Sequence, residues 1–282
     1  MLTPLLTLTV WFASIPAVVL YVKTNRGLFA GIAAISLGSA AFLSGPLFPV
    51  FLSLALTMLI PAVAMGEGYR RGLPARKVLT AGVIAFLAIF LLSIVITQLL
   101  GGNINQLLGS MFREGLSFFP ETVTGVITDE MLHDFISLTI MMIPFYFIAT
   151  SVFLTSVTHA IARRICNRTG EKLPGLPPVR EWKLPRSFVW FYLLALFAEL
   201  FIKPDPSSFI SAIIANIVPL LMTIFAIQGI AFLFFIGYQK GKGWIPWLGV
   251  VGVIFLTPLF SIFSLLGVFD TAFPIRDRFR KS

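Results

Sequence analysis

Apolar residues run through this chain in long stretches, and the interruptions between them are short and mostly basic. A hydrocarbon core about 30 Å thick takes roughly 20 helical residues, so each such stretch reads as a membrane crossing. The segments that qualify are Leu2–Val22, Gly27–Ser44, Leu47–Met65, Val78–Leu100, Phe135–Ala160, Ser187–Ile202, Phe209–Tyr238 and Ile245–Phe269. The pattern predicts an all-α fold, a polytopic membrane helix bundle of about eight transmembrane segments in one integral membrane domain, residues 1–282. Five segments fall in 1–161 and three in 187–282, with the polar loop 162–186 between them.

Between Gly101 and Asp134 the hydropathy pattern changes. Ile104, Leu107, Leu108, Met111 and Phe112 recur at i, i+3, i+4, i+7 and i+8, the spacing of an amphipathic helix. The same stretch, 101–134, sets Arg113 against Glu114, Glu121, Asp129, Glu130 and Asp134, which suits a helix lying on the outer membrane surface. In the second segment Gly27, Gly31, Ala34 and Gly38 align small side chains on one helix face, a spacing that lets another backbone approach closely. It reads as a helix-packing face.

Charge then orients the bundle. The stretch Ala162–Arg186 carries seven Lys/Arg, two Glu and four Pro, so it neither enters lipid nor forms a continuous helix. Placing it inside the cell puts 15 Lys/Arg in inner loops and leaves only Arg113 and Lys203 in outer ones, as the positive-inside rule requires. Eight crossings then strand the basic tail, with Arg276, Arg278, Arg280 and Lys281, on the outer side. Either the tail tolerates this, or a long segment is a hairpin or re-entrant element broken at Pro219 or Pro258. No charged region precedes the first apolar stretch, so that segment is expected to act as its own insertion signal.

Composition narrows the function classes. At 57% hydrophobic and 12% charged, the chain departs far from soluble domains, where about 25% charged is usual. The net charge of +9 sits in short loops and forms no continuous stripe, which argues against nucleic acid as a partner. Cys166 is the single cysteine, and the two histidines lack ligand spacing, so neither a disulfide nor a metal site is expected. Gly66, Gly68 and Gly72 are one residue too widely spaced for a dinucleotide loop, and no strand precedes them. With no hydrolase, zinc-protease or P-loop motif in the sequence, the chain is expected to be neither an enzyme nor a cofactor carrier.

Candidate chemistry rests with polar residues inside apolar segments, which are costly there and often functional. Glu199 lies four residues before Lys203 and reads either as half of a local ion pair or as a carboxylate facing a solute cavity. Asn216 and Thr223 share nearly one face, where hydrogen bonding between helices is the simpler reading. Gln228 sits deeper beside Gly229, which would admit a close neighbour, and Asp270 opens the tail. His133, Asp134 and His159 read as interfacial.

Three stretches, IPAVAMGEGYRRGLPARKVLTAG, LPGLPPVREWKLPRSFVWFYL and LLGVFDTAFPIRDR, resemble the YybS-type family of bacterial multi-pass membrane proteins of unknown function. That family is in turn distantly similar to the substrate-binding subunits of energy-coupling-factor vitamin transporters. This second resemblance implies a small-molecule site near the outer side and a separate energising partner.

The expected function is therefore a small-solute-binding or transport-related subunit of the bacterial cytoplasmic membrane, with the lipid bilayer as solvent. Glu199, Asn216, Gln228 and Asp270 are its candidate pocket residues. The alternative is an assembly or scaffold protein whose loop recruits a membrane or cytoplasmic protein through Pro177, Pro178, Arg180 and Trp182, since prolines hold an extended, low-entropy strip.

Overall fold

The computed structural model describes residues 12–120, 125–202, 205, 208–255, 257–273 and 275–280. Among them every regular element is helical: α1 Ser14–Lys23, α2 Arg26–Ser44, α3 Phe48–Arg70, α4 Ala75–Leu99, α5 Ile104–Leu116 and α6 Asp129–Met141. There follow α7 Ile143–Arg168, α8 Ser187–Phe201, α9 Phe209–Gln239, α10 Ile245–Phe255, α11 Thr257–Ala272 and α12 Ile275–Arg280, with 3-10 turns at Gly45–Leu47 and Val179–Glu181. The run Arg26–Arg70 and the helices α4, α7 and α9 are long and apolar enough to cross a membrane, and α1, α8 and Leu259–Ala272 are shorter apolar helices. Large side chains such as Phe42, Leu99, Leu200 and Phe201 point outward and are exposed. Water opposes contiguous apolar surface of this kind, and lipid tails accept it.

The helices cluster in two units. The first holds residues 1–127 and 146–176, and the second holds 128–145 and 177–282. In the first unit the run Arg26–Arg70 folds back on itself at Gly45, whose φ of 51° suits a residue without Cβ. Arg26 at one end pairs with Glu67 near the other at 2.5 Å, a contact that a straight rod would forbid. Gly72, at φ 64°, closes α3 with the Leu73 N–H bonded to the Gly68 carbonyl, the geometry of a glycine helix stop. Gly66 and Gly68 lie inside α3, where they admit the Tyr21 ring and the Val78 side chain. The core joins Ile15 and Val18 of α1, Ala62, Met65 and Tyr69 of α3, Val78 of α4 and Ala162 and Cys166 of α7, with Leu173 closing over it.

In the second unit Val189 and Tyr192 of α8 pack on Leu221 and Phe225 of α9. Helices α9 and α11 approach to backbone contact at Gly229 and Gly267, where a methyl group would run into the Phe263 and Phe225 carbonyls. Pro219 lies inside α9, which continues through it unbroken for 31 residues.

Two predicted segments change. Phe135–Ala160 is not one rod, because α6 ends at Met141 and α7 restarts at Ile143 with Pro144 in its first turn, where a missing N–H costs nothing. Ile245–Phe269 likewise divides into α10 and α11, with Pro258 in the first turn of the latter. The Phe263 ring lies against Gly249 and Gly252. Along a straight helix those residues would stand about 21 and 16 Å away. Helices α10 and α11 therefore fold back on each other, and the break falls beside Pro258, not at Pro219. The predicted amphipathic helix is present as α5, capped by Asn103, with Leu107 and Met111 on its exposed apolar side. Residues 2–11 of the first predicted segment, Leu2–Val22, lie outside the described residues, and its second half forms most of α1.

Candidate functional site

The four predicted pocket residues occupy two places in the second unit. Twelve residues of α9 separate Asn216 from Gln228. At a rise of 1.5 Å per residue that is about 18 Å.

At the first place, Glu199 lines an open cleft of about 290 Å³. The volume sits at the lower edge of the range for ligand pockets, about 300 to 1,000 Å³, and suits a small solute. Leu138, Met141 and Met142 form one wall, and Ala215, Val218, Pro219 and Met222 form another. Pro219 has no N–H to give the carbonyl four residues earlier, which is that of Ala215, so the helix leaves this acceptor without its usual partner. Apart from Glu199 and Ser211, the described residues lining the cleft are aliphatic or thioether. Lys203, the other half of the predicted ion pair, lies outside the described residues.

Asn216 stands behind this wall and does not line the cleft. Its Oδ1 accepts from the Phe145 N–H at 2.7 Å, while Nδ2 donates to the carbonyls of Met141 at 2.8 Å and Ala212 at 2.7 Å. These bonds engage its oxygen and both N–H groups, and they satisfy the backbone where α6 stops and α7 begins. The side chain holds the break in the helix, and Met141 and Met142 at that break face the cleft.

Gln228 and Asp270 meet at the second place, where both are buried and bonded to protein. Gln228 Nε2 donates to Asp270 Oδ2 at 2.5 Å and to the Trp182 carbonyl at 3.2 Å. Arg276, beyond the end of α11, donates to both Asp270 oxygens, at 2.6 Å from Nη2 to Oδ2 and 2.8 Å from Nε to Oδ1. Its Nη1 reaches the Arg180 carbonyl at 2.7 Å, and its guanidinium lies over the Phe235 ring. Sequence reading missed Arg276 because it sits in what looks like a solvated basic tail. The available signal was Asp270, an acid six residues earlier at the end of an apolar run.

The same network pins the predicted recruitment segment. Trp182 Nε1 donates to the Pro177 carbonyl at 2.9 Å, Val179–Glu181 forms a 3-10 turn, and Arg180 stacks on the Tyr238 ring at 3.8 Å. Pro177 and Pro178 are exposed, but the segment is folded onto α9 and is not a free extended strip. Beside it Arg180, Phe234, Tyr238 and Pro246 line a depression of about 550 Å³. Among the described residues nothing packs on the small-residue face of α2: Gly31 and Gly38 have open space where a Cβ would stand, and Gly27, Gly31, Ala34 and Gly38 are all exposed.

The first unit contains polar pairs that the sequence did not disclose. His159, read as interfacial, is buried in α7, with its Nδ1 2.6 Å from the Tyr69 hydroxyl. One residue earlier Thr158 bonds Ser14 at 2.8 Å, tying α7 to α1. At the far end of α3, Glu67 accepts from Tyr21, Arg26 and Arg71. Among the described residues no cluster of three His, Cys, Asp or Glu could hold a metal ion.

Comparison with known proteins supports the membrane reading. The chain is 26% identical over 227 residues to the uncharacterized protein YybS of Bacillus subtilis (strain 168), a match covering 77% of this chain and 72% of that relative. No solved structure matches. With residues 1–271 matching the family model described as predicted membrane protein (DUF2232), the chain belongs to that family.

Proposed function

We propose that this membrane protein is a solute-binding subunit that takes a small, largely apolar molecule carrying an amine or another N–H donor. The observation that supports this reading is the Glu199 cleft. There the Glu199 carboxylate supplies an acceptor within a wall that, among the described residues, is apolar apart from Ser211, and Pro219 denies the Ala215 carbonyl of the same wall its usual N–H partner. A largely apolar recess with one carboxylate selects for a donor-bearing apolar ligand, because other polar groups would lose their water with little replacement. Helix discontinuities beside a binding site are also the recurring device of solute carriers, and the α6–α7 break lines this cleft. Movement of the solute would draw on another protein or an ion gradient.

The protein would sit in the bacterial cytoplasmic membrane as a multi-pass bundle, with 162–186 facing the cell interior. The recruitment alternative has less support, since the segment that would serve it is already bonded to α9 and Arg276.

The test is mass spectrometry of small molecules retained by the purified full chain, comparing the natural protein with Glu199→Gln and with Gln228→Ala. An amine-bearing compound should copurify with the natural protein and with Gln228→Ala. Its recovery should fall about tenfold or more in Glu199→Gln, the loss expected when a hydrogen bond to a charged group is removed. Equal recovery from all three would remove the cleft from consideration.

A further inference from the structure

A groove in the first unit carries a separate inference. It runs between α1, α2 and α3, measures about 340 Å³, and among the described residues is lined by apolar side chains except for Ser36. Its concavity comes from small side chains on all three helices: Ala13, Ala17, Ala33, Ser36, Ala40 and Ala55. Along α2 it extends from Phe29 to Ala40, eleven residues. That is about 16 Å at 1.5 Å per residue, close to half of the roughly 30 Å hydrocarbon core and therefore the depth of one leaflet.

The end near Leu20 and Phe29 is strongly basic. Lys23 lies one turn beyond Leu20, and Arg26 one turn before Phe29. Arg70 joins them by donating to the Thr24 carbonyl while its guanidinium rests over the Tyr21 ring at 4.8 Å. Among the described residues Glu67 is the acid bonded in this cluster, and Arg26 and Arg71 both pair with it. Lys23 makes no ion pair among the described residues, and the cluster keeps an excess of positive charge.

We propose that this groove binds one acyl chain of an anionic phospholipid, whose phosphate sits against Lys23, Arg26 and Arg70. The groove matches one leaflet in length, its wall matches a hydrocarbon chain in chemistry, and its basic end supplies the complement of the headgroup. The positive-inside reading places that end at the cytoplasmic surface, where anionic lipids add about 1 kcal/mol of attraction per Lys or Arg. That is about fivefold in affinity per cation.

The test uses the purified full chain and two phospholipids with the same photoactivatable acyl chain, one a phosphatidylglycerol and the other a phosphatidylcholine, with adducts mapped by mass spectrometry. Phosphatidylglycerol should label α2 and α3 along the groove at least about fivefold more than phosphatidylcholine, with Lys23→Gln erasing about that factor. Ala33→Phe combined with Ala55→Phe should fill the groove and abolish its labelling. Leu91 and Leu92 on the exposed face of α4 should remain labelled, reporting an intact bundle in ordinary lipid contact. Equal labelling by the two lipids would overturn the proposal, as would groove labelling that survives the filled variant. Crosslinks on this face to a second copy of the chain that exclude both lipids would also overturn it.

Discussion

Arg276 grips Asp270 across the end of α11, with Nη2 2.6 Å from Oδ2 and Nε 2.8 Å from Oδ1. Their side chains are only 3% and 0% exposed, respectively. The pair joins α11 to α12. Through Gln228 and the Arg180 carbonyl it also joins α9 and the 177–182 segment, so four parts of the second unit meet at one carboxylate.

Removing one member of such a pair leaves a buried charge without compensation, a loss of about 3–5 kcal/mol, whereas removing both is often nearly neutral. Arg276→Met alone should sharply lower the melting temperature of the detergent-solubilised protein. Adding Asp270→Asn to that variant should recover most of the loss. Two single losses that simply add would mean that the residues act independently, and would refute the coupling inferred from the geometry.

The contact between α9 and α11 gives a second prediction. At Gly229 and Gly267 the backbones touch, and each glycine faces a carbonyl of the opposite helix. A methyl there meets backbone, which cannot rotate away as a side chain can. Gly267→Ala should cost about 1–3 kcal/mol in thermal stability, the usual range for overpacking. Gly31→Ala in α2, where open space surrounds the site, should leave the melting temperature unchanged or slightly raised. Similar losses at both positions would contradict the packing described for α9 and α11.

The helical, lipid-solvated character of the chain was legible because period and length are local properties of a sequence. The junctions were not. Pro144 and Pro258 each suit the first turn of a new helix as well as a kink in an old one, and only packing separates the cases. Glu199 was visible as a charge in an apolar run, and the structure gives it a cleft. Asn216 was equally visible, but its task depends on Met141 and Phe145, 75 and 71 residues earlier, whose backbone groups carry no sequence signal. The burial of His159 is hidden for the same reason, since its partner Tyr69 lies 90 residues away in another helix.

The side on which the chain ends is the last prediction, and the second unit argues for a definite answer. Arg180 stacks on Tyr238 near the end of α9, and the turn that follows brings Lys242 and Pro246 against Gly237. Arg276 bonds the Arg180 carbonyl and lies over Phe235 at that same end. The start of the tail therefore shares one end of α9 with the 177–186 segment and the 240–244 turn. A chain with eight full crossings would separate them, and the turn between α10 and α11 removes that conflict by letting the chain return without a further crossing. Single cysteines at the exposed positions Lys183, Lys242 and Asp277 should therefore all resist a membrane-impermeant maleimide in intact cells and react in inverted vesicles. The background needs Cys166→Ser only as a precaution, because the native thiol is fully buried and should stay unlabelled on either side. Should Asp277→Cys react in intact cells while Lys183→Cys does not, the tail would lie across the membrane from the loop. The Arg180–Arg276 contact could not then exist in the folded protein.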